Sequence, residues 1–116
     1  MSSFQEILRP WGSYRCLTLA EGYQVKEILV APGQRLSLQS HQHRSEHWVV
    51  VQGPALVTVD SRELEVAVGG HVFIPQGTRH RLANPGRNMI KVIEVQIGNY
   101  LGEDDITRYE DDYERL

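Results

Sequence analysis

The stretch SHQHRSEHWVVVQG, Ser40 to Gly53, carries three of the five histidines in a chain of 116 residues, with a glutamate directly before the third. Imidazole and carboxylate are donors that divalent cations such as zinc take from proteins, so the spacing asks for metal chemistry. Two geometries compete. On a helix, His43-Arg44-Ser45-Glu46-His47 is an H-x-x-E-H motif with both histidines on one face, as in a class of zinc peptidases. On a strand, Gln39, His41, His43, Ser45 and His47 share one face. His41 and His43 then lie about 7 Å apart at Cα, and both rings can converge on one ion through bonds of about 2 Å. The residues after His47 decide between them. Three valines running into Gly53-Pro54 make a poor helix, and a peptidase needs a further ligand from a second element. The strand leaves room for a fourth ligand opposite. A candidate lies in GGHVFIPQGTRHRLANPG (Gly69–Gly86), where Pro75 and Gly77 form a tight turn and His80 opens the next strand.

The elements that must position these residues are short strands. YRCLTL, YQVKEILV, RLSLQSH, HWVVVQG, ALVTV, LEVAV, HVFI, HRLA and MIKVIEVQI are rich in β-branched and aromatic residues. Gly- and Pro-containing turns separate them about every 8–12 residues, the texture of an all-β sandwich or barrel. The acidic tail GEDDITRYEDDYERL differs: Ile106, Tyr109 and Tyr113 fall at i, i+3 and i+7, which predicts a short helical tail laid on the barrel. The length favours one domain over residues 1–116, with the barrel at about 12–100. A net charge of −3 argues against a nucleic-acid partner. No apolar run approaches the ~18 residues of a membrane span, and MSSFQEILRPWG lacks the basic start and apolar run of a secretory signal. The single cysteine, Cys16, excludes an internal disulfide and fits a reducing, cytoplasmic setting.

Taken together, the two histidine stretches resemble the cupin signature. Gly69, Pro75, Gly77, His80 and Asn84 fill every position of its second motif, G-x5-P-x-G-x2-H-x3-N. Its first motif, G-x5-H-x-H-x3,4-E-x6-G, is met by His41, His43 and Gly53, and Glu46 stands the required six residues before that glycine. Glu46 nevertheless follows His43 after two residues instead of three or four, and His47 occupies the three-residue spacing. The resemblance implies a double-stranded β-helix, a jelly-roll barrel with a metal in its mouth. Parity favours His47, because Glu46 points to the opposite face of a regular strand; a β-bulge after His43 would exchange them. Four-histidine cupins with an H-x-H-x-x-E-H stretch also favour His47. The expected ligands are therefore His41, His43, His47 and His80 around one divalent ion, with Glu46 the alternative to His47. Ligand type does not separate Zn, Mn, Fe, Co and Ni. The fifth histidine, His71, lies outside both motifs and reads as a surface residue.

A longer resemblance runs through RPWGSY, Tyr23–Gly53, IPQGTRHRLANPG and IEVQIGNYLGEDDITRYEDDY: the chain is similar to the isomerase domain of type II phosphomannose isomerases. That family implies interconversion of mannose 6-phosphate and fructose 6-phosphate, a sugar-phosphate substrate, and by analogy with small cupins a homodimer joined through N-terminal arms. The guanylyltransferase half of the family's bifunctional chains is not represented, so guanylyl transfer is not expected. Moving a proton between C1 and C2 needs a base within hydrogen-bond reach; Glu94, on VIEVQ beside Gln96, and Glu46 are the candidates. The phosphate needs cations or polar donors. Arg35, on GQRLSLQSH, and Arg81, beside His80, are the first candidates, Gln39 and Gln96 share the relevant strand faces, and Lys26 and Lys91 are further options. By parity Trp48 leaves the ligand face and packs in an interface or between the sheets, and Trp11 anchors the N-terminal arm to the barrel or to a second subunit. The alternatives to an isomerase are another metal-cupin enzyme, such as a dioxygenase, or a non-catalytic sugar-phosphate-binding cupin.

Overall fold

The computed structural model describes residues 5–113. They form strands β1 (Glu6–Arg9), β2 (Gly12–Ala20), β3 (Tyr23–Val30), β4 (Leu38–Ser40), β5 (Arg44–Gln52), β6 (Ala55–Val59), β7 (Arg62–Val66), β8 (His71–Ile74), β9 (His80–Ala83), β10 (Ile90–Gly98) and β11 (Thr107–Glu110), with no helix among the described residues. Two antiparallel sheets face each other, one of six strands in the order β1-β2-β3-β10-β5-β8 and one of five in the order β11-β4-β9-β6-β7. The all-β expectation holds. The N-terminal arm is itself an edge strand, hairpinned onto β2 and pinned by Trp11, which is buried and whose carbonyl accepts from the Ala31 amide at 2.9 Å.

The expected helical tail is a correction. Residues 107–110 are a strand paired with β4, Thr107 opposite Ser40 and Arg108 opposite Gln39. The i, i+3, i+7 spacing was a local preference. A short helix gains little on its own, whereas β4 without this neighbour would present unpaired N–H and C=O groups along a sheet edge.

The inner face of the six-stranded sheet changes character along its length. Register places Val50, Val92 and Ile28 side by side across β5, β10 and β3, all buried in a core that includes Trp11, Val57, Ile74 and Leu82. The next row is Trp48, Glu94 and Lys26, and the one beyond is Glu46, Gln96 and Gln24. All six are buried. The barrel is thus apolar at one end and polar at the other. Burying that many polar side chains is costly unless each finds partners, so the polar end is built for something other than stability.

Candidate metal centre

Between β4 and β5 the chain steps from one sheet to the other in three residues, His41-Gln42-His43. Asp105, from the segment leading into β11, holds the step. Its carboxylate accepts from the Gln42 amide at 2.8 Å and the His43 amide at 2.9 Å. Gly98 makes room: a Cβ there would lie 2.1 Å from the His43 carbonyl oxygen. On the other side, the Gly77 amide donates to the His41 carbonyl at 2.8 Å, and Gly77 sits at φ +81°, a conformation that favours glycine. The step resets the alternation. His41 faces in, Gln42 and His43 are exposed, and β5 then buries Arg44, Glu46, Trp48 and Val50 while exposing His47 and Val49.

The structure therefore brings together His41, Glu46 and His80, whose ligand atoms all lie within 4.8 Å of one another, and it does not bring His43 or His47 to them. His43 packs edge-on against Tyr100 and His47 against Phe73, both outside the cavity. Trp48 also departs from expectation. It faces inward, and its indole N–H donates to Glu46 Oε1 at 2.9 Å. Glu94, Gln96, Gln39 and Arg81 line the same cavity as the two histidines. Arg35 does not; it is exposed and pairs with Asp112 at 2.8 and 3.0 Å. His71 is exposed. Arg44, Arg108, Glu103 and Asp105 were not singled out from sequence. Once Glu46 is known to face inward, alternation along β5 yields Arg44 and Trp48; no local signal marks the other three.

Hydrogen bonds fix the donor atoms. His41 Nδ1 lies 2.7 Å from the Asp105 carbonyl and His80 Nδ1 2.9 Å from the Thr78 carbonyl. A carbonyl only accepts, so each Nδ1 carries the proton and each Nε2 presents its lone pair to the cavity. This is the arrangement by which backbone groups orient metal-binding histidines. Burial lowers the His41 pKa to about 4, with Arg44 and His80 contributing and Glu46 opposing; burial lowers His80 as well. Both rings are neutral ligands at neutral pH. Burial alone would raise the Glu46 carboxyl, but His80 and His41 in their protonated forms, and Arg44 at every pH, outweigh it and hold it at about 2. Glu94 goes the other way, to about 8, pushed by burial and by the charge of Glu46. One member of this carboxyl pair is thus an anion and the other holds a proton near neutrality. Gln96 donates to Glu94 at 2.5 Å, and Gln24 donates to Gln96 at 2.8 Å.

Two buried neutral imidazoles and one buried carboxylate form a donor set suited to a divalent transition ion, and three protein ligands leave positions open. Cationic side chains share the cavity. Lys26 pairs with Glu103 at 2.5 Å, Arg81 with Glu110 at 3.2 Å, and Arg108 lies beside them with its Nε buried and without a hydrogen-bond partner among the described residues.

Residues 1–111 match the family model described as mannose-6-phosphate isomerase C-terminal. The chain belongs to that family. It is 53% identical over 110 residues to the alginate biosynthesis protein AlgA of Pseudomonas aeruginosa, covering 95% of this chain and 23% of that protein. It is 50% identical over 111 residues to the xanthan biosynthesis protein XanB of Xanthomonas campestris, covering 96% and 24%. To the mannose-1-phosphate guanylyltransferase ManC of Salmonella typhimurium it is 47% identical over 112 residues, covering 97% and 23%. The chain thus spans about a quarter of the length of these relatives. Among solved structures, oxalate decarboxylase from Bacillus subtilis superposes with a TM-score of 0.80 at 20% identity, over 92% of this chain and 30% of that one. The cupin domain of Cnp3 from Schizosaccharomyces pombe gives 0.71 at 16%, over 74% and 64%. At that identity these two report the fold, which is a cupin fold.

Proposed function

We propose that this domain is a metal-dependent aldose–ketose isomerase acting on a sugar phosphate, of the mannose 6-phosphate to fructose 6-phosphate type. The observation that carries the reading is geometric: two lone-pair-presenting imidazoles, the Glu46 carboxylate and the Glu94 carboxyl are all buried in one cavity. Family membership supports the same reaction class.

His41, His80 and Glu46 would hold the ion, and a divalent ion bound there supplies Lewis-acid polarisation of the substrate's carbonyl and hydroxyl oxygens. The remaining work belongs to side chains of this chain. Glu94, as carboxylate, takes the proton from C2 of the aldose and, as carboxylic acid, returns it to C1, while the hydroxyl proton passes from O2 to O1. Gln96 orients Glu94, and Lys26, directly opposite it in the β3–β10 register, favours its ionised form. Arg108, Arg81 and Lys26 are among the cations that line the cavity and could meet a phosphate there. Gln39, which also lines the cavity and donates to Ser37 Oγ at 2.9 Å, is placed for a substrate hydroxyl.

The test is a coupled assay of fructose 6-phosphate formation from mannose 6-phosphate by protein loaded with Zn²⁺, Mn²⁺ or Co²⁺. Turnover that chelator abolishes is expected, and Glu94→Gln should lower kcat by about 10²-fold or more. Full activity in Glu94→Gln would remove it as the base. Absence of turnover with every metal would sink the isomerase reading.

A further inference from the structure

One contact in the metal centre belongs to neither the donor set nor the proton chemistry. Because His41 Nδ1 gives its proton to the Asp105 carbonyl, His41 Nε2 is an acceptor, and it lies 3.2 Å from Glu46 Oε2, another acceptor. Two buried lone-pair atoms at that separation repel unless a donor or cation bridges them. The Arg44 guanidinium does so: its Nε donates to Glu46 Oε2 at 2.8 Å and its Nη2 to His41 Nε2 at 3.2 Å. Both residues belong to the donor set a metal would take, and His41 would offer it this same Nε2. An imidazole nitrogen has a single lone pair, so the one His41 Nε2 gives to the guanidinium is not available to an ion, and an ion on Glu46 Oε2 would sit against the guanidinium's charge. The third arm, Nη1, is buried without a hydrogen-bond partner among the described residues, so the pose leaves the guanidinium incompletely satisfied. Arg44 also lines the cavity.

Resting on the metal reading above, we propose that Arg44 and a divalent ion are alternative cations for the same pair of acceptors, so that metal binds only by displacing the Arg44 guanidinium from His41 Nε2 and Glu46 Oε2. Arg44 then sets the metal affinity of the domain from within. The opposite role is physically reasonable too. An arginine that merely orients a ligand carboxylate strengthens metal binding, and its removal costs affinity. The two roles differ in sign.

The experiment is calorimetric titration of chelator-stripped protein with Zn²⁺, wild type against Arg44→Gln, with circular dichroism to confirm the fold. Arg44→Gln should bind roughly tenfold tighter or more, the scale of a charge-assisted hydrogen bond no longer broken. Arg44→Lys, which keeps the charge but lacks the rigid fork, should fall between the two. Equal or weaker binding by Arg44→Gln overturns the proposal while leaving the metal reading intact. Zn²⁺ binding by neither protein removes both. Should Arg44→Gln not fold, the wild type decides alone. On Zn²⁺ saturation the Arg44 Nε–H resonance should move to the position of a freed guanidinium, and an unmoved resonance overturns the displacement.

Discussion

At the scale of single residues, the site is a set of groups whose protonation is imposed by burial and by one another. Glu94 is the clearest case. Its pKa in the folded protein, about 8, stands above the ordinary value of 4.5. Between those two pH values the folded state holds a proton that the unfolded chain has released, so this group's contribution to stability declines as pH rises through the window. Glu94→Gln removes the titration but keeps the shape. The melting temperature of chelator-treated wild type should therefore fall more between pH 5.5 and pH 8.5 than that of Glu94→Gln, and thermal unfolding across that range reads the difference. Parallel curves would mean that Glu94 is not held protonated. His47 behaves oppositely. On the outer face against Phe73, its replacement by alanine should change stability by about 0.5 kcal/mol or less.

At the scale of elements, the decisive feature is the three-residue step between β4 and β5. Asp105 caps two backbone amides there through its side chain and orients His41 through its carbonyl. Its own pKa is lowered: burial opposes ionisation, but the Gln42 and His43 amides outweigh it. Asp105→Ala leaves those amides without their acceptor and should cost roughly 1–3 kcal/mol in urea unfolding. It should also weaken metal binding, since the His41 ring rests on the same segment. An unchanged unfolding midpoint would refute the role.

The same step shows what was legible beforehand. The strands announced themselves through β-branched runs and turns, and His41, His80, Glu94 and Gln96 lay on motifs or alternating faces that local pattern exposes. The choice between Glu46 and His47 depended on one residue of register. That register is set from more than sixty positions away by Asp105, with Gly98 making room. A strand read in isolation carries no trace of such a contact, so parity counted from His41 turned His47, not Glu46, inward and Trp48 outward. The tail failed for a related reason. The free edge of β4 outweighs the helical spacing of Ile106, Tyr109 and Tyr113.

At the scale of the whole molecule, one barrel joins an apolar core to a buried polar end, so an ion bound at that end would be linked to folding. An ion taken only by the folded state stabilises it by about 2.7 kcal/mol at a hundredfold excess over Kd. The melting temperature should therefore rise on adding Zn²⁺ or Mn²⁺ and return with chelator, and Glu46→Gln should abolish most of the rise. A rise of equal size in Glu46→Gln would place the ion elsewhere.

If His41, Glu46 and His80, not His47, hold the ion of a sugar-phosphate isomerase, the rates of single variants separate Glu46 from His47. The most direct test is the initial rate of fructose 6-phosphate formation from mannose 6-phosphate, measured side by side for metal-loaded wild type, Glu46→Gln and His47→Ala. Turnover is expected in wild type, near-wild-type turnover in His47→Ala, and a loss of about 10²-fold or more in Glu46→Gln. Turnover surviving in Glu46→Gln and lost in His47→Ala would contradict that ligand set.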